Sequence, residues 1–304
     1  MAQINTLNNY YKSTFGSKVY KISLNGNMTC PNRDGTLDTR GCIFCSKGGS
    51  GDFAASRFLS IPEQINEAKN RVSRKITSGK YISYFQAFTN TYAPIDYLRK
   101  IYYEAIEPED IVGLSIATRP DCINSDVLSL LAEINCIKPV FVELGLQSIH
   151  EKTASFIRRG YDLECFNKSV QLLSEIGINI VVHLIIGLPN ETTEDILNSV
   201  KYLNSLPING VKLQLLHVLK DTDLADYYLD SNNNFETLSM ANYIDILGEC
   251  IEHLRPDIVI HRMTGDGNKS ELISPLWSAD KKNVLNNINK YFKENDITQG
   301  RRYV

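Results

Sequence analysis

Six short apolar runs separated by amphipathic stretches constrain this chain more than any other feature. They are KVYKISL (18–24), YISYFQAF (81–88), IVGLSIA (111–117), PVFVELGL (139–146), INIVVHLIIG (178–187) and GVKLQLLHV (210–218). The segments between them read as helices over about 62–78, 94–106, 124–134, 150–176 with a break near Gly160, and 192–205. Strand and helix alternating in this way predict a parallel sheet with right-handed crossovers, either doubly wound or curled into a barrel. Thr192, three residues before Asp195, predicts a capping-box start for the last of these helices.

Strand parity decides between the two sheet types. In VFVELGLQS, Glu143, Gly145 and Gln147 share one face while Val142, Leu144 and Leu146 share the other. Lys212 and Gln214 in the sixth strand and Gln86 in the second repeat the pattern. A sheet covered by helices on both faces would be apolar on both, so one polar face predicts a lumen that holds a ligand. The competing reading is a doubly wound sheet whose isolated polar residues are satisfied by hydrogen bonds. The expected fold is therefore α/β, an open parallel (β/α)6 partial barrel with N- and C-terminal extensions. Residues 1–230 form the barrel with an N-terminal helix, and 231–304 form an extension over the barrel mouth. That extension reads as a polar stretch, a helix over 239–254, a short strand in DIVIHRM and a last helix near 280–293.

With 304 residues and 43% hydrophobic content the chain can bury a sizeable core. Its first residues, MAQINTLNNYYKSTFG, have neither a basic nor an apolar leader segment, and no apolar run nears the ~20 residues of a membrane span. A soluble, cytoplasmic protein without membrane contact is expected. Net charge is −3, so the whole-molecule field does not announce a nucleic-acid binder.

Seven cysteines in such a chain read as reduced thiols, metal ligands or core residues rather than disulfides. Three of them, Cys30, Cys42 and Cys45, lie in CPNRDGTLDTRGCIFC with spacing C-x11-C-x2-C, directly after the first strand. Ligand-binding loops of α/β folds emerge at that position. A structural zinc site wants four closed ligands, and no fourth Cys or His is near. Three thiolates suit a 4Fe-4S cluster with one iron left open for chemistry. The bland alternative, three idle thiols in a turn-rich loop, leaves them exposed to oxidation. Cys122, Cys136, Cys165 and Cys250 have no metal-like spacing and read as core or ordinary thiols.

On these residues the chain resembles the radical SAM superfamily, whose usual signature is a shorter C-x3-C-x2-C. The widened spacing, with Phe44 before the last Cys, resembles the subset containing the elongator catalytic subunit and, more closely, the YtqA/YhcC-like branch. The resemblance spans roughly 18–300 and implies one 4Fe-4S cluster, S-adenosyl-L-methionine bound at its open iron, and a flavodoxin- or ferredoxin-type electron donor. It implies cleavage to a 5'-deoxyadenosyl radical, with no catalytic side chain beyond the cluster. In QAFTNTYAP, Phe88, Thr89 and Asn90 occupy the turn that holds the methionyl ammonium group in the superfamily, here without its glycines. Around IATRPD (116–121), Ser115 just before it or Thr118 within it is the implied ribose contact. Gln147 matches a lumen glutamine of oxygen-independent coproporphyrinogen oxidase, and Arg159 lies at the interval of the arginine that pairs with the methionyl carboxylate. The bland reading of Arg158-Arg159 is a solvated helix end. In HLIIGLP, Ile185 and Gly187 resemble the adenine-binding end of the fifth strand, with His183 where related enzymes often carry an acid.

The resemblance also points to a substrate. The YtqA-like branch is associated with tRNA wobble-uridine modification, from 5-carboxymethylaminomethyluridine toward 5-aminomethyluridine. Arg71, Arg74 and Lys75 recur at helical spacing and are candidates for RNA phosphates, or else a solvated helix face. HRMTGDGNKSELISPLW reads as a substrate loop in which Arg262 supplies charge, Gly265 and Gly267 flank Asp266 in tight turns, and Trp277 offers a stacking surface. Its bland reading is a hairpin with Trp277 as a plug. A radical SAM enzyme acting on a peptide or small metabolite is the alternative function, and a non-catalytic iron-sulfur electron carrier is a third.

Overall fold

A computed structural model describes residues 4–49, 51, 54–73, 79–265 and 267–304. The elements run α1 (Leu7–Phe15), β1 (Val19–Leu24), α2 (Ile61–Ser73), β2 (Lys80–Phe85), α3 (Ile95–Ile106), β3 (Ile111–Thr118), α4 (Ser125–Asn135), β4 (Val140–Gln147), α5 (Glu151–Phe156) and α6 (Leu163–Glu175). They continue as β5 (Asn179–Ile186), α7 (Thr193–Leu203), β6 (Gly210–Leu215), β7 (Val218–Leu219), α8 (Asp223–Leu229), α9 (Met240–His253), β8 (Val259–Arg262), β9 (Leu272–Ser274) and α10 (Lys281–Glu294).

Seven parallel strands in the order β1-β2-β3-β4-β5-β6-β8 form an open, curled half-barrel sheet with the helices packed outside it. The expected partial barrel is present, enlarged by β8, which comes from the DIVIHRM segment of the tail and pairs with β6. β7 and β9 make a separate antiparallel ribbon. Two local features follow from sequence chemistry. Thr192 and Asp195 form the reciprocal capping box that starts α7. The break expected near Gly160 separates α5 from α6, where Gly160 takes φ +82, a left-handed conformation that favours glycine, and Asp162 caps the restart.

Alternation along the strands separates two environments. Ile22, Phe85, Leu114, Val142, Val182 and Leu213 pack under the helices in the main core. On the other face, Val19, Ile82 and Phe141 join Tyr11 of α1 in a small apolar cluster that closes one end of the barrel. Tyr11 meets Phe141 edge-on, with ring centres 6.4 Å apart. Above this plug the inner face turns polar. The sheet's two edges, β1 and β8, are unpaired with each other; the N-terminal segment lies against β8, where the Ile260 N–H donates to the Asn5 carbonyl at 2.7 Å.

Candidate active site

Cys30, Cys42 and Cys45 sit together in the loop after β1, all three partly buried and none in a disulfide. The long insertion between the first two is tightly folded. Arg33 and Asp34 N–H groups donate to the Cys30 carbonyl, and the Cys45 N–H donates to that of Cys42 at 3.0 Å. The Asn32 side-chain amide donates to the Arg158 carbonyl at 2.7 Å and to Cys42 Sγ at 3.5 Å. Arg33 donates to the carbonyls of Cys45 and Ser46. Loop and barrel are thereby fastened, and the three thiols line one cavity of about 180 Å³ at the strand ends.

The same cavity is lined by Phe88, Thr89, Thr118, Gln147, His183 and Arg262. Phe88 takes φ +61, the conformation the missing glycine would favour, and its ring lies where a Cβ on Gly49 would come within 2.4 Å. Gln147 is turned into the cavity by a bulge at the end of β4 and by its own φ of +62. The Tyr161 hydroxyl donates to the Gly145 carbonyl at 2.8 Å and fixes this end of the strand.

Several expected residues are placed elsewhere. Arg159 is 1% exposed, and its guanidinium donates to the carbonyls of Leu146, Ser148 and Tyr161 and to Glu151. Its donors are consumed by the turn after β4, so it supports the cavity rather than lining it. Arg119 does line it, held by Asp121 and by the Arg159 carbonyl and stacked 4.8 Å from the Tyr161 ring centre. Asn90 is fully buried and spends its amide on the carbonyls of Phe85 and Ala117, tying the ends of β2 and β3. Ser115 lies deeper, donating to Glu143 at 2.9 Å. Ile185 lines a neighbouring crevice with Phe44, and Gly187 lines another beside Asn190 and Phe235. Trp277 is anchored away from the mouth: its indole N–H donates to the Leu238 carbonyl at 3.0 Å and its ring packs on Tyr243. Gly265 and Gly267 reach the mouth instead, where a Cβ on either would collide with His217. Arg71 pairs with Glu67 one turn back on α2. Arg74, Lys75 and Asp266 lie outside the described residues.

Under the cavity sits a charged group only partly foreseen. Glu143, 1% exposed, accepts from Lys21 of β1, Lys212 of β6, Ser115, Tyr84 and His183. Burial pushes the Glu143 carboxyl up, but Lys21 and Lys212 outweigh it and hold it well below the usual range. Burial pushes Lys212 down to about 7. Burial likewise lowers His183 to about 4, with Lys212 adding to the effect. His183 is therefore neutral near pH 7, and because an ionised carboxylate only accepts, its Nε2 carries the proton. Parity had marked Glu143 and Lys212 as lumen residues, and applied to β1 the same rule marks Lys21 and Ser23.

Comparison with known proteins matches two consecutive stretches of the chain. A model of the radical SAM superfamily matches residues 39–203, and a radical SAM C-terminal domain model matches 208–294. The chain belongs to the radical SAM superfamily. It is 43% identical to the uncharacterized protein YtqA of Bacillus subtilis over 97% of this chain and 91% of that protein. It is 35% identical to protein YhcC of Escherichia coli over 93% of this chain and 90% of that one. Human elongator complex protein 3 is 24% identical over 69% of this chain and 36% of its own length. Among solved structures, the archaeal Elp3 of Methanocaldococcus infernus superposes with a TM-score of 0.68 at 17% identity, covering 92% of this chain and 64% of that one. The coproporphyrinogen III oxidase HemN of Escherichia coli gives 0.50 at 17% identity, over 77% of this chain and 51% of that one. These two likenesses concern the fold.

As a radical SAM enzyme the chain uses a 4Fe-4S cluster and S-adenosylmethionine. The residues present fit that group. Three partly buried thiols face one cavity, and among the described residues no three Cys, His, Asp or Glu side chains close on a single-ion site. Burial pushes the Cys42 thiol up to about 12, so its ionisation calls for a cationic partner. When bound, the group supplies one-electron cleavage of S-adenosylmethionine and a hydrogen-abstracting radical. Cys30, Cys42 and Cys45 would hold the cluster. Gln147, Arg119 and the backbone around Phe88 and Thr89 present polar contacts to whatever fills the rest of the cavity.

Proposed function

We propose that this chain is a radical SAM enzyme of the cytoplasm that modifies tRNA at the wobble uridine, acting on 5-carboxymethylaminomethyluridine toward the 5-aminomethyl form. The observation that carries the reading is the shape of the lumen. The thiol-lined cavity shares Tyr84, Gln86, Lys212 and Arg262 with a cleft of about 650 Å³. That space admits one extruded base with its substituent, the way enzymes that act on a base within a polymer reach their target atom. Similarity to YtqA over nearly the whole chain supports the same branch. Gln147, Thr118 and Arg119 would orient the sulfonium substrate, and the plug of Val19, Ile82 and Phe141 keeps water out of the far end.

The test compares modified nucleosides in tRNA from a strain lacking this protein and from its parent. The deletion strain is expected to accumulate the 5-carboxymethylaminomethyl form and lose forms derived from the 5-aminomethyl one. An unchanged wobble-uridine profile, with no tRNA bound by purified protein, would move a peptide or metabolite substrate to first place.

A further inference from the structure

The cleft that continues the thiol cavity lies at the open seam of the half-barrel, between edge strands β1 and β8 and under α1. Lys18 and Lys21 line it from β1 and the residue before it, Lys212 from β6, and His261 and Arg262 from β8. No carboxylate among the described residues lines the cleft. At its inner wall the single Glu143 carboxylate is shared by Lys21 at 2.5 Å and by Lys212, so the ammonium groups there outnumber the carboxylates even before Arg262 is added.

Two further polar atoms face this excess without partners. Tyr11 is 3% exposed, and its hydroxyl has no hydrogen-bond partner although it lines the cleft. Burial raises its pKa, so it remains a donor. The Nδ1 atom of His261 is likewise buried and unpartnered. Leaving such atoms unmatched is costly, and a ligand that satisfies them recovers that cost.

We propose that this cleft is an anion subsite, and that it takes a carboxylate at the end of the substrate's own side group, held by Lys21, Lys212 and Arg262 with the Tyr11 hydroxyl as an added donor. A carboxylate is favoured over a backbone phosphate by geometry. Lys212 is only 4% exposed and lies inside the barrel, where a terminal group can reach but a phosphodiester would draw the polymer in from both sides. Bound there, the carboxylate leaves the carbon chain that bears it pointing toward the thiol-lined cavity, which is where a hydrogen would be removed. The depressed Lys212 agrees, since an entering anion restores the ammonium form. The inference rests on the reading that a nucleoside side group enters the barrel.

The experiment uses the full chain, reconstituted with cluster and S-adenosylmethionine, and two anticodon stem-loop RNAs with identical sequence and phosphates. One carries 5-carboxymethylaminomethyluridine and the other 5-aminomethyluridine. The acid form is expected to bind roughly tenfold more tightly, and Arg262→Gln and Lys21→Gln, both at the more open side of the cleft, are each expected to reduce that ratio to about twofold or less with iron content unchanged. A preference retained in both variants overturns the subsite. If neither RNA binds the wild type, the tRNA reading fails and a second arm decides the subsite alone. Malonate, against sodium chloride at matched ionic strength, is expected to raise the unfolding midpoint of wild type by about 2–4 °C and of Arg262→Gln by under about 1 °C. No malonate-specific rise in the wild type overturns the subsite irrespective of RNA.

Discussion

Asn32 donates its side-chain amide to the Arg158 carbonyl at 2.7 Å, tying the start of the widened cysteine spacing to the turn after α5. This contact explains how three thiols separated by so long an insertion face one cavity. Two of its neighbours, the Arg159 carbonyl and Cys42 Sγ, accept from the same amide.

Asn32→Ala is therefore expected to loosen the cluster without unfolding the barrel. Reconstituted wild type should carry about four irons per chain. The variant should lose iron several-fold faster to a chelator while keeping its far-ultraviolet circular dichroism. Cys30→Ala, Cys42→Ala and Cys45→Ala should each abolish the cluster, and Cys122→Ala should leave iron content as it was. Loss of iron in the last variant would give the ligand set a different membership.

Arg159 and Arg119 should separate in their effects. Removing Arg159 takes its donors from the carbonyls of Leu146, Ser148 and Tyr161, so Arg159→Ala is expected to cost about 2–4 kcal/mol in denaturant unfolding. Arg119→Gln should weaken S-adenosylmethionine binding more than Arg159→Lys does, because Arg119 alone of the two lines the cavity. Equal losses of affinity in calorimetry would count against that division.

The acid sensitivity of the protein should trace in part to His183. Its folded-state pKa is lowered to about 4, so between that value and the ordinary 6.5 the unfolded chain binds more protons than the folded one. Stability contributed by the neutral imidazole is present above about pH 6.5 and is lost as pH falls toward 4. Glu143, also held below its ordinary value, loses its contribution in the same direction. His183→Gln should flatten the fall of the unfolding midpoint with acid by an amount worth about 1–3 kcal/mol. A slope matching wild type across that window would remove His183 as its source.

Trp277 should report on stability rather than on substrate. Trp277→Ala removes the ring packed on Tyr243 and the bond to the Leu238 carbonyl, an expected loss of about 2–4 kcal/mol. Substrate-dependent 5'-deoxyadenosine formation per folded molecule should stay within about twofold of wild type. A tenfold fall with unchanged stability would return Trp277 to the barrel mouth.

Much of the architecture could be read from alternation alone. Glu143, Gly145 and Gln147 against Val142, Leu144 and Leu146 already describe a strand with a wet face, and all three of the former line the cavity. The cysteine spacing puts three thiols in a loop that follows a strand end, and all three line one cavity there. The partners of Arg159 are of a kind sequence cannot supply: an interval says how far a side chain can reach, not which carbonyls it meets first. Trp277 is likewise held by a partner, Leu238, that is distant in the chain. β8 was visible only as a short apolar run, and its membership of the main sheet depends on β6 offering a free edge.

The contact between Asn5 and Ile260 bears on how this protein should be handled. An outermost strand with bare N–H and C=O groups is a template for pairing with another molecule, and here residues ahead of α1 occupy part of that template. A truncation that starts at Leu7 would uncover it beside the aliphatic Val259 and Ile260, turning a closed flank into an adhesive one. Fusion partners are better joined at the exposed C-terminal end, where Val304 already stands in solvent.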